Sequence, residues 1–341
     1  MPKRFSTKDL DVRRAPADGR TGVGDFRFTD DYSVFHYGKM PDSIPGKGEA
    51  CCRIAAFNFG LLAEAGVPSH FRAFHPPDRL EFDLLRVLDP RERPLGPADV
   101  NHLVPLQVIF RTMLPEGSSV LRRLRLGRLR PADIGLAHPP APGTVLDRPV
   151  IEYTTKLEEI DRFVDRDEAA AIGGLDAEQQ AGLEDRTRLV AEVVAAHARS
   201  VGLVLADGKV EYGRDARGRL ILVDHAGTPD EARLLLDGAH ADKQVLRDHY
   251  AATGLQSRVE EWVREGRPRP AWPAPDPLPR EVVELVGEMY RSLCELWTGT
   301  RVWGARDLDR VLDRLAALAP GARDAAPAPL RGRRPGGDRA R

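Results

Sequence analysis

Hydrophobic and polar positions change period several times along the chain, and each change marks an element. Residues 1–24 are polar and glycine-rich, after which Phe26, Phe28, Tyr32 and Phe35 arrive around Asp30-Asp31, a strand, turn, strand signal. Gly38 to Gly48 then carries two prolines and three glycines, a loop, and feeds Cys52, Ile54, Phe57 and Leu61 at helical spacing. That helix is expected to stop at Gly66, ahead of Pro68. The apolar runs 82–88 and 104–110 read as strands. Asp176 with Gln179 three residues later is a helix-start signal, and Leu183, Val190 and Val194 mark one face up to Gly202. Residues 203–212 and 220–224, joined across Gly213 to Gly218, predict a hairpin, and a last helix is expected over about 280–297. From 318 onward Ala, Pro, Gly and Arg dominate, a composition expected to form a disordered tail.

Composition narrows the function classes. A chain of 341 residues has room for two lobes, and a formal net charge of -1 gives no global field for nucleic acid or a membrane surface. Small anionic ligands need only a local basic cluster. The three cysteines form no CxxC pair, which argues against a disulfide framework or structural zinc and for a reduced cytoplasm. The N-terminus leads into polar sequence, and no apolar run is long enough to span a bilayer.

The hairpin at 203–224 is the most suggestive stretch, because Asp207, Lys209, Glu211 and Asp224 place ionisable groups on otherwise apolar strands. Carboxylates at facing ends of a hairpin suit Mg²⁺, which prefers oxygen ligands and bridges nucleotide phosphates, and a nearby lysine suits the same phosphates. The other reading is that alternate residues face solvent, as on any half-buried strand.

Leu205 to Gly213 is similar to the Asp-x-Lys-x-Glu-Phe-Gly signature of SAICAR synthetases, and further segments follow in that family's order. Asp31-Tyr32-Ser33-Val34-Phe35 with Ile44-Pro45-Gly46-Lys47-Gly48 resembles its Asp-x-x-Ser-x-Phe segment and Ile-Pro-x-Lys-Gly loop. Ala65 to Phe71 resembles Ala-Gly-Ile-Pro-Thr-His-Phe, and Val104 to Arg111 resembles Val-Pro-Leu-Glu-Val-Val-x-Arg, with Gly117-Ser118-Ser119 beyond it. Thr155 to Glu158, Asp224 with Thr228-Pro229-Asp230 and Arg233, and Asp242-Lys243-Gln244 with Arg247-Asp248 complete the series.

The resemblance implies an α+β, two-lobe fold with a sheet-rich N-terminal lobe over 1–110, a mixed C-terminal lobe over 111–317 and an ATP cleft between them. It implies an ATP- and Mg²⁺-dependent ligase that phosphorylates the carboxylate of an imidazole ribonucleotide, and an amino acid, L-aspartate, whose amine then forms the amide. By the same resemblance Glu211 and Asp224 hold the metal. Lys209, Lys243 and Asp207 serve catalysis, Lys209 and Lys47 also contacting ATP. Arg111, Ser118, Arg233 and Arg247 bind the ribonucleotide phosphate, and Asp230, His36 and His225 lie near the substrate.

Departures from the family pattern cluster at these places. The usual N-terminal Gly-Lys-aromatic has its nearest counterpart in Gly19-Arg20-Thr21-Gly22, which makes Arg20 the candidate ATP contact and leaves a flexible linker as the alternative. His36 replaces a common Asp, His225 a common Glu, and Glu231-Ala232 a Ser-Ser pair, so charge or hydrogen-bonding type changes at each. Two rival functions follow: a paralogue acting on a related imidazole or purine ribonucleotide in nucleoside natural-product (antibiotic) biosynthesis, and a non-catalytic nucleotide-binding protein. Retention of Lys209, Glu211 and Asp224 together argues against the second. Nothing in the sequence decides whether the chain forms a homo-oligomer.

Overall fold

The computed structural model describes residues 3–318. The expected tail therefore lies, apart from Leu318, outside the described residues.

The chain opens with β1 (Lys3–Arg4), β2 (Lys8–Arg14) and β3 (Gly22–Phe28), then a two-stranded ribbon of β4 (Asp31–Val34) and β5 (Gly38–Ser43). Helix α1 (Lys47–Glu64) leads to β6 (Phe71–His75) and β7 (Arg79–Leu84), which complete a five-stranded antiparallel sheet in the order β1-β2-β3-β7-β6. Within residues 1–24, expected only as polar chain, residues 3–24 thus form two strands and enter a third. They form an edge: in β2 only Lys8 is buried and the last four residues are exposed, so no apolar alternation announces the strand.

A long connection reaches β8 (His102–Leu114), the first strand of the second sheet, and residue 110 falls inside it. After α2 (Ser119–Arg125) come β9 (Thr144–Thr155), β10 (Phe163–Val164), α3 (Arg166–Gly173) and α4 (Ala177–Ser200). The expected hairpin follows as β11 (Val204–Arg214) and β12 (Leu220–Val223), then β13 (Ala232–Leu236) and β14 (Ala239–His240). Strands run β10-β9-β8-β11-β13-β14, with β12 paired to β11. Four helices close the chain: α5 (Gln244–Ala252), α6 (Leu255–Arg264), α7 (Arg280–Thr298) and α8 (Leu308–Ala317).

Local chemistry explains the boundaries. Asp176 caps α4 in a capping box, its side chain accepting from Gln179 N–H while the Gln179 side chain accepts from Asp176 N–H. Helix α1 starts at Gly46, whose φ of 82° suits glycine. Its second residue, Gly48, lies so close to the Phe28 and Thr29 backbone that an added Cβ would sit 2.8 Å from the Phe28 oxygen. One large core runs from Phe28 to Leu315 and draws on α1, α4, α7 and α8 as well as the inner faces of the sheets. Both sheets are thereby fixed to a shared helical layer, and the face of the second sheet turned away from that layer is free to be polar.

Candidate active site

Strand alternation sets the site. Val210 and Tyr212 of β11 enter the core, so Asp207, Lys209 and Glu211 share the opposite face. Cross-strand partners continue that face: Asp207 sits opposite Arg111 of β8, Lys209 opposite Ile109 and Glu211 opposite Gln107. On β9 the next partners are Val150, Glu152 and Thr154. Arg111, Ile109, Gln107, Asp207 and Lys209 line a cleft of about 680 Å³, which also reaches Ser33, His36, Glu231, Arg233, Lys243 and Arg247.

The two carboxylates expected to hold a metal come together around Lys156, next to Lys209 of the cleft wall. Glu211 pairs with Val223, the last residue of β12, so Asp224 follows directly. Asp224 adopts φ 63°, a left-handed conformation costly for a non-glycine residue, of the kind found where surrounding structure over-determines a functional group. Three lysines surround the pair. Lys156 Nζ lies 2.5 Å from Glu211, Lys8 forms an ion pair with Asp224, and Lys209 pairs with Glu231 at 2.9 Å. Burial alone would raise the Asp224 carboxyl, but Lys8, His225 and Lys156 outweigh it and hold it below the usual carboxylate range. Two carboxylate oxygen donors, one on β11 and one just after β12, ringed by lysines, fit a hard cation bridging polyphosphate.

Lys8 is the residue that sequence reasoning missed. It ends the tight turn between β1 and β2, closed by Phe5 N–H donating to the Lys8 carbonyl, and this turn rather than the glycine cluster carries a lysine to Asp224. Ser6 of the same turn lines the cleft. Arg20 instead sits exposed in the β2–β3 connection, its carbonyl held by the Asn101 amide at 2.8 Å. The signal for Lys8 was a lone lysine after Ser6-Thr7, without the glycine that usually precedes it.

At the other end the arginines are organised by Asp207. Its Oδ2 accepts from Arg111 at 2.8 Å and Arg233 at 2.6 Å, so its lone pairs serve two guanidinium groups and Asp207 is placed to orient them rather than to react. Arg111 also donates to Glu152 at 2.6 Å and to Ser119 Oγ at 3.0 Å. Ser119 lines the cleft, whereas the buried Ser118 caps α2 by accepting from Val120 N–H, so of the two hydroxyls only that of Ser119 faces the cleft. Arg247 lines the same end and makes no ion pair among the described residues.

Other expected ligands are enclosed. Lys47, 1% exposed, pairs at 2.6 Å with Asp230, which also accepts from Tyr290 at 2.9 Å. Lys47 therefore reaches Asp230 and not the cleft, and Asp230, though it touches the cleft, is held from behind. His225 is buried, hydrogen-bonded to Thr228 at 3.0 Å and packed on Phe28, and burial with Lys8 nearby pushes its imidazole down to about 4, so it is neutral near pH 7. His36 remains on the cleft wall, its imidazole lowered by burial. Lys243 also lines the cleft. Burial lowers its ammonium, and Arg247 and Lys209 add to that effect against Asp230 and Glu231. Burial pushes the Glu231 carboxyl up, yet Lys209 and Lys243 bring it down to about 2.

Comparisons with known proteins place the chain in one family. A family model for SAICAR synthetase matches residues 22–262. A relative from Archaeoglobus fulgidus is 37% identical over 326 residues, covering 91% of this chain and 98% of its own. A phosphoribosylaminoimidazole-succinocarboxamide synthase from Thermoplasma acidophilum is 34% identical over 293 residues, covering 83% and 95%. Among solved structures, the Saccharomyces cerevisiae SAICAR synthase complexed with SAICAR superposes with TM-score 0.65 at 21% identity, over 88% of this chain and 95% of that one. A SAICAR synthetase in complex with ADP gives 0.61 at 21%, over 89% and 99%. At that identity the two structures speak for the fold alone, which is the α+β arrangement the sequence implied.

Proposed function

The chain belongs to the SAICAR synthetase family, ATP-dependent ligases of purine biosynthesis, and we propose that its cleft joins L-aspartate to a carboxylated aminoimidazole ribonucleotide through an acyl phosphate. The observation that carries this reading is the polarity of the cleft. Arg111, Arg233, Arg247 and Ser119 line it on one side of Asp207, and beyond Lys209 on the other it adjoins Glu211 and Asp224 with Lys8 and Lys156. One end is suited to a nucleotide polyphosphate with its cation, the other to a ribonucleotide monophosphate, so the reacting carboxylate falls between them.

Glu211 and Asp224 would hold Mg²⁺, which when bound neutralises phosphate charge during phosphoryl transfer. Lys8, on a tight hairpin turn of only a few residues, would meet the nucleotide phosphates, and Lys209 would face the transferring group with Glu231 fixing its direction. Arg233 and Arg247 would grip the 5′-phosphate with planar, multidentate donors. The enclosed wall of the second sheet would keep water from the activated carboxylate. Three buried, unbridged cysteines suit a reducing, cytoplasmic setting.

Purified protein with ATP, Mg²⁺ and the carboxylated ribonucleotide should form the succinocarboxamide only when L-aspartate is present. ATP consumed without aspartate, or a product lacking it, would replace this reading with a paralogous reaction on a related ribonucleotide. No ATP turnover at all would leave a nucleotide-binding protein.

A further inference from the structure

The reaction needs a group that meets the incoming amine. At neutral pH an amino acid arrives as an ammonium, which cannot attack, so a negatively charged acceptor must hold it and take a proton. The cleft wall contains six carboxylates, from Glu159, Asp161, Asp207, Asp230, Glu231 and Glu260. Four are already committed to cations: Asp207 to Arg111 and Arg233, Asp230 to Lys47, Glu231 to Lys209 and Glu260 to Arg122. An ammonium approaching any of these competes with a cation already in place. Glu159 and Asp161 make no ion pair among the described residues, and they differ in how they are held. Glu159 is exposed, with its backbone carbonyl accepting from Arg269. Asp161 is tethered to the catalytic face.

The tether follows from strand register. Thr155 N–H donates to the Arg162 carbonyl and Thr154 pairs with Phe163, so the β9–β10 turn sets Asp161 across from Lys156, the lysine that holds Glu211. Gln107 stands directly between Glu211 and Thr154 in the same cross-strand row. The Thr154 hydroxyl donates to the Gln107 amide oxygen at 3.1 Å, which leaves the amide nitrogen free on the cleft wall that Gln107 shares with Asp161. Asp161 thus faces the cleft without an ion-pair partner among the described residues, at the β9–β10 turn, with β8 and β9 between it and the strand of Glu211.

We propose that Asp161 is a catalytic residue that receives the attacking amine as its ammonium and removes a proton from it, with Gln107 positioning the carboxylate. This rests on the acyl-phosphate reading above. The Asp161 carboxylate takes one proton from the ammonium and becomes a carboxylic acid. The freed amine lone pair forms the C–N bond to the acyl carbon, the bond from that carbon to the phosphate oxygen breaks, and the second amine proton leaves with phosphate. Asp161 then returns its proton to solvent.

Hydroxylamine separates this role from every earlier step, because it is largely unprotonated at neutral pH and traps acyl phosphates as hydroxamates without help from an anionic acceptor. With ATP, Mg²⁺ and the carboxylated ribonucleotide, Asp161→Asn should lose aspartate-dependent amide formation by about 100-fold or more, while forming hydroxamate at close to the unmodified rate. Gln107→Ala should shift the ratio of amide to hydroxamate in the same direction by a smaller factor. Retained hydroxamate formation also shows that each variant is folded. Equal loss of amide and hydroxamate would place Asp161 in phosphorylation or folding and overturn the proposal, as would undiminished amide formation. Failure of the unmodified protein to form hydroxamate would instead overturn the acyl-phosphate reading. Hydroxamate without any aspartyl amide would overturn the aspartate reading and this role with it.

Discussion

Asp207 shows how little a residue's type says about its task until its partners are known. On β11 it is one of two acids on the same face, yet two arginines claim its oxygens, while Glu211 four residues on pairs with Lys156 instead. Different substitutions should therefore fail differently. Glu211→Gln and Asp224→Asn should each lower kcat by at least about 100-fold with a cooperative thermal melt retained, because each removes charge where phosphate charge must be neutralised. Asp207→Asn should chiefly raise KM for the ribonucleotide, with KM for ATP little changed, since it loosens Arg111 and Arg233 without touching the phosphoryl end. Steady-state kinetics with each substrate varied in turn distinguishes the two patterns, and a uniform fall in kcat for Asp207→Asn would contradict the assignment. Sequence motifs located Arg111, Lys209, Glu211, Asp224 and Arg233 but could not separate Ser118 from Ser119. Only the turn into α2 decides which hydroxyl caps the helix and which faces the cleft.

At the scale of elements, the Lys47–Asp230 pair fastens the first turn of α1 to the loop preceding β13, and Tyr290 of α7 shares the same carboxylate. Lys47→Met leaves that carboxylate buried with one hydroxyl partner, so it should cost about 3 to 5 kcal/mol of stability. Lys47→Met combined with Asp230→Asn should recover part of the loss, because a neutral amide is cheaper to enclose than an unpaired charge. Urea unfolding of the single and double variants measures both. Helices α1, α4 and α7 were legible because each presents one apolar stripe to the core. Strand β9 was not: Glu152, Thr154 and Thr155 are buried polar residues facing the cleft side or the adjoining turn, so the contrast between inside and outside that marks an ordinary strand is lost. Helix α8 carries Leu308, Val311, Leu312 and Leu315 at helical spacing, a signal present in the sequence but set within Arg- and Ala-rich surroundings.

For the whole molecule, one core joins both sheets, and two imidazoles buried in it make stability depend on pH in a defined window. His70 packs against Phe59 and Phe82 with its Nε2 3.2 Å from the Asp224 carbonyl, and burial pushes it down to about 4; His225 is likewise near 4. In the unfolded chain both would titrate near the ordinary 6.5. Below that value the unfolded state binds protons that the folded state refuses, so stability is full above about pH 6.5 and falls as pH drops toward 4, by up to ~3 kcal/mol per imidazole. The two losses are less than additive, because each charged imidazole would oppose the other. Asp224 and Asp230, held low chiefly against their burial by Lys8 and Lys47, add a second loss only as pH falls below the ordinary carboxyl value of 3.8. Urea midpoints should therefore be flat from pH 8 to 7 and decline between 6.5 and 4.5. His70→Phe, which can keep the stack on Phe59 and Phe82, should have a lower midpoint throughout but a visibly shallower decline in that window. An unchanged slope would mean that His70 does not remain neutral in the folded state, and the pH dependence would have to come from other groups.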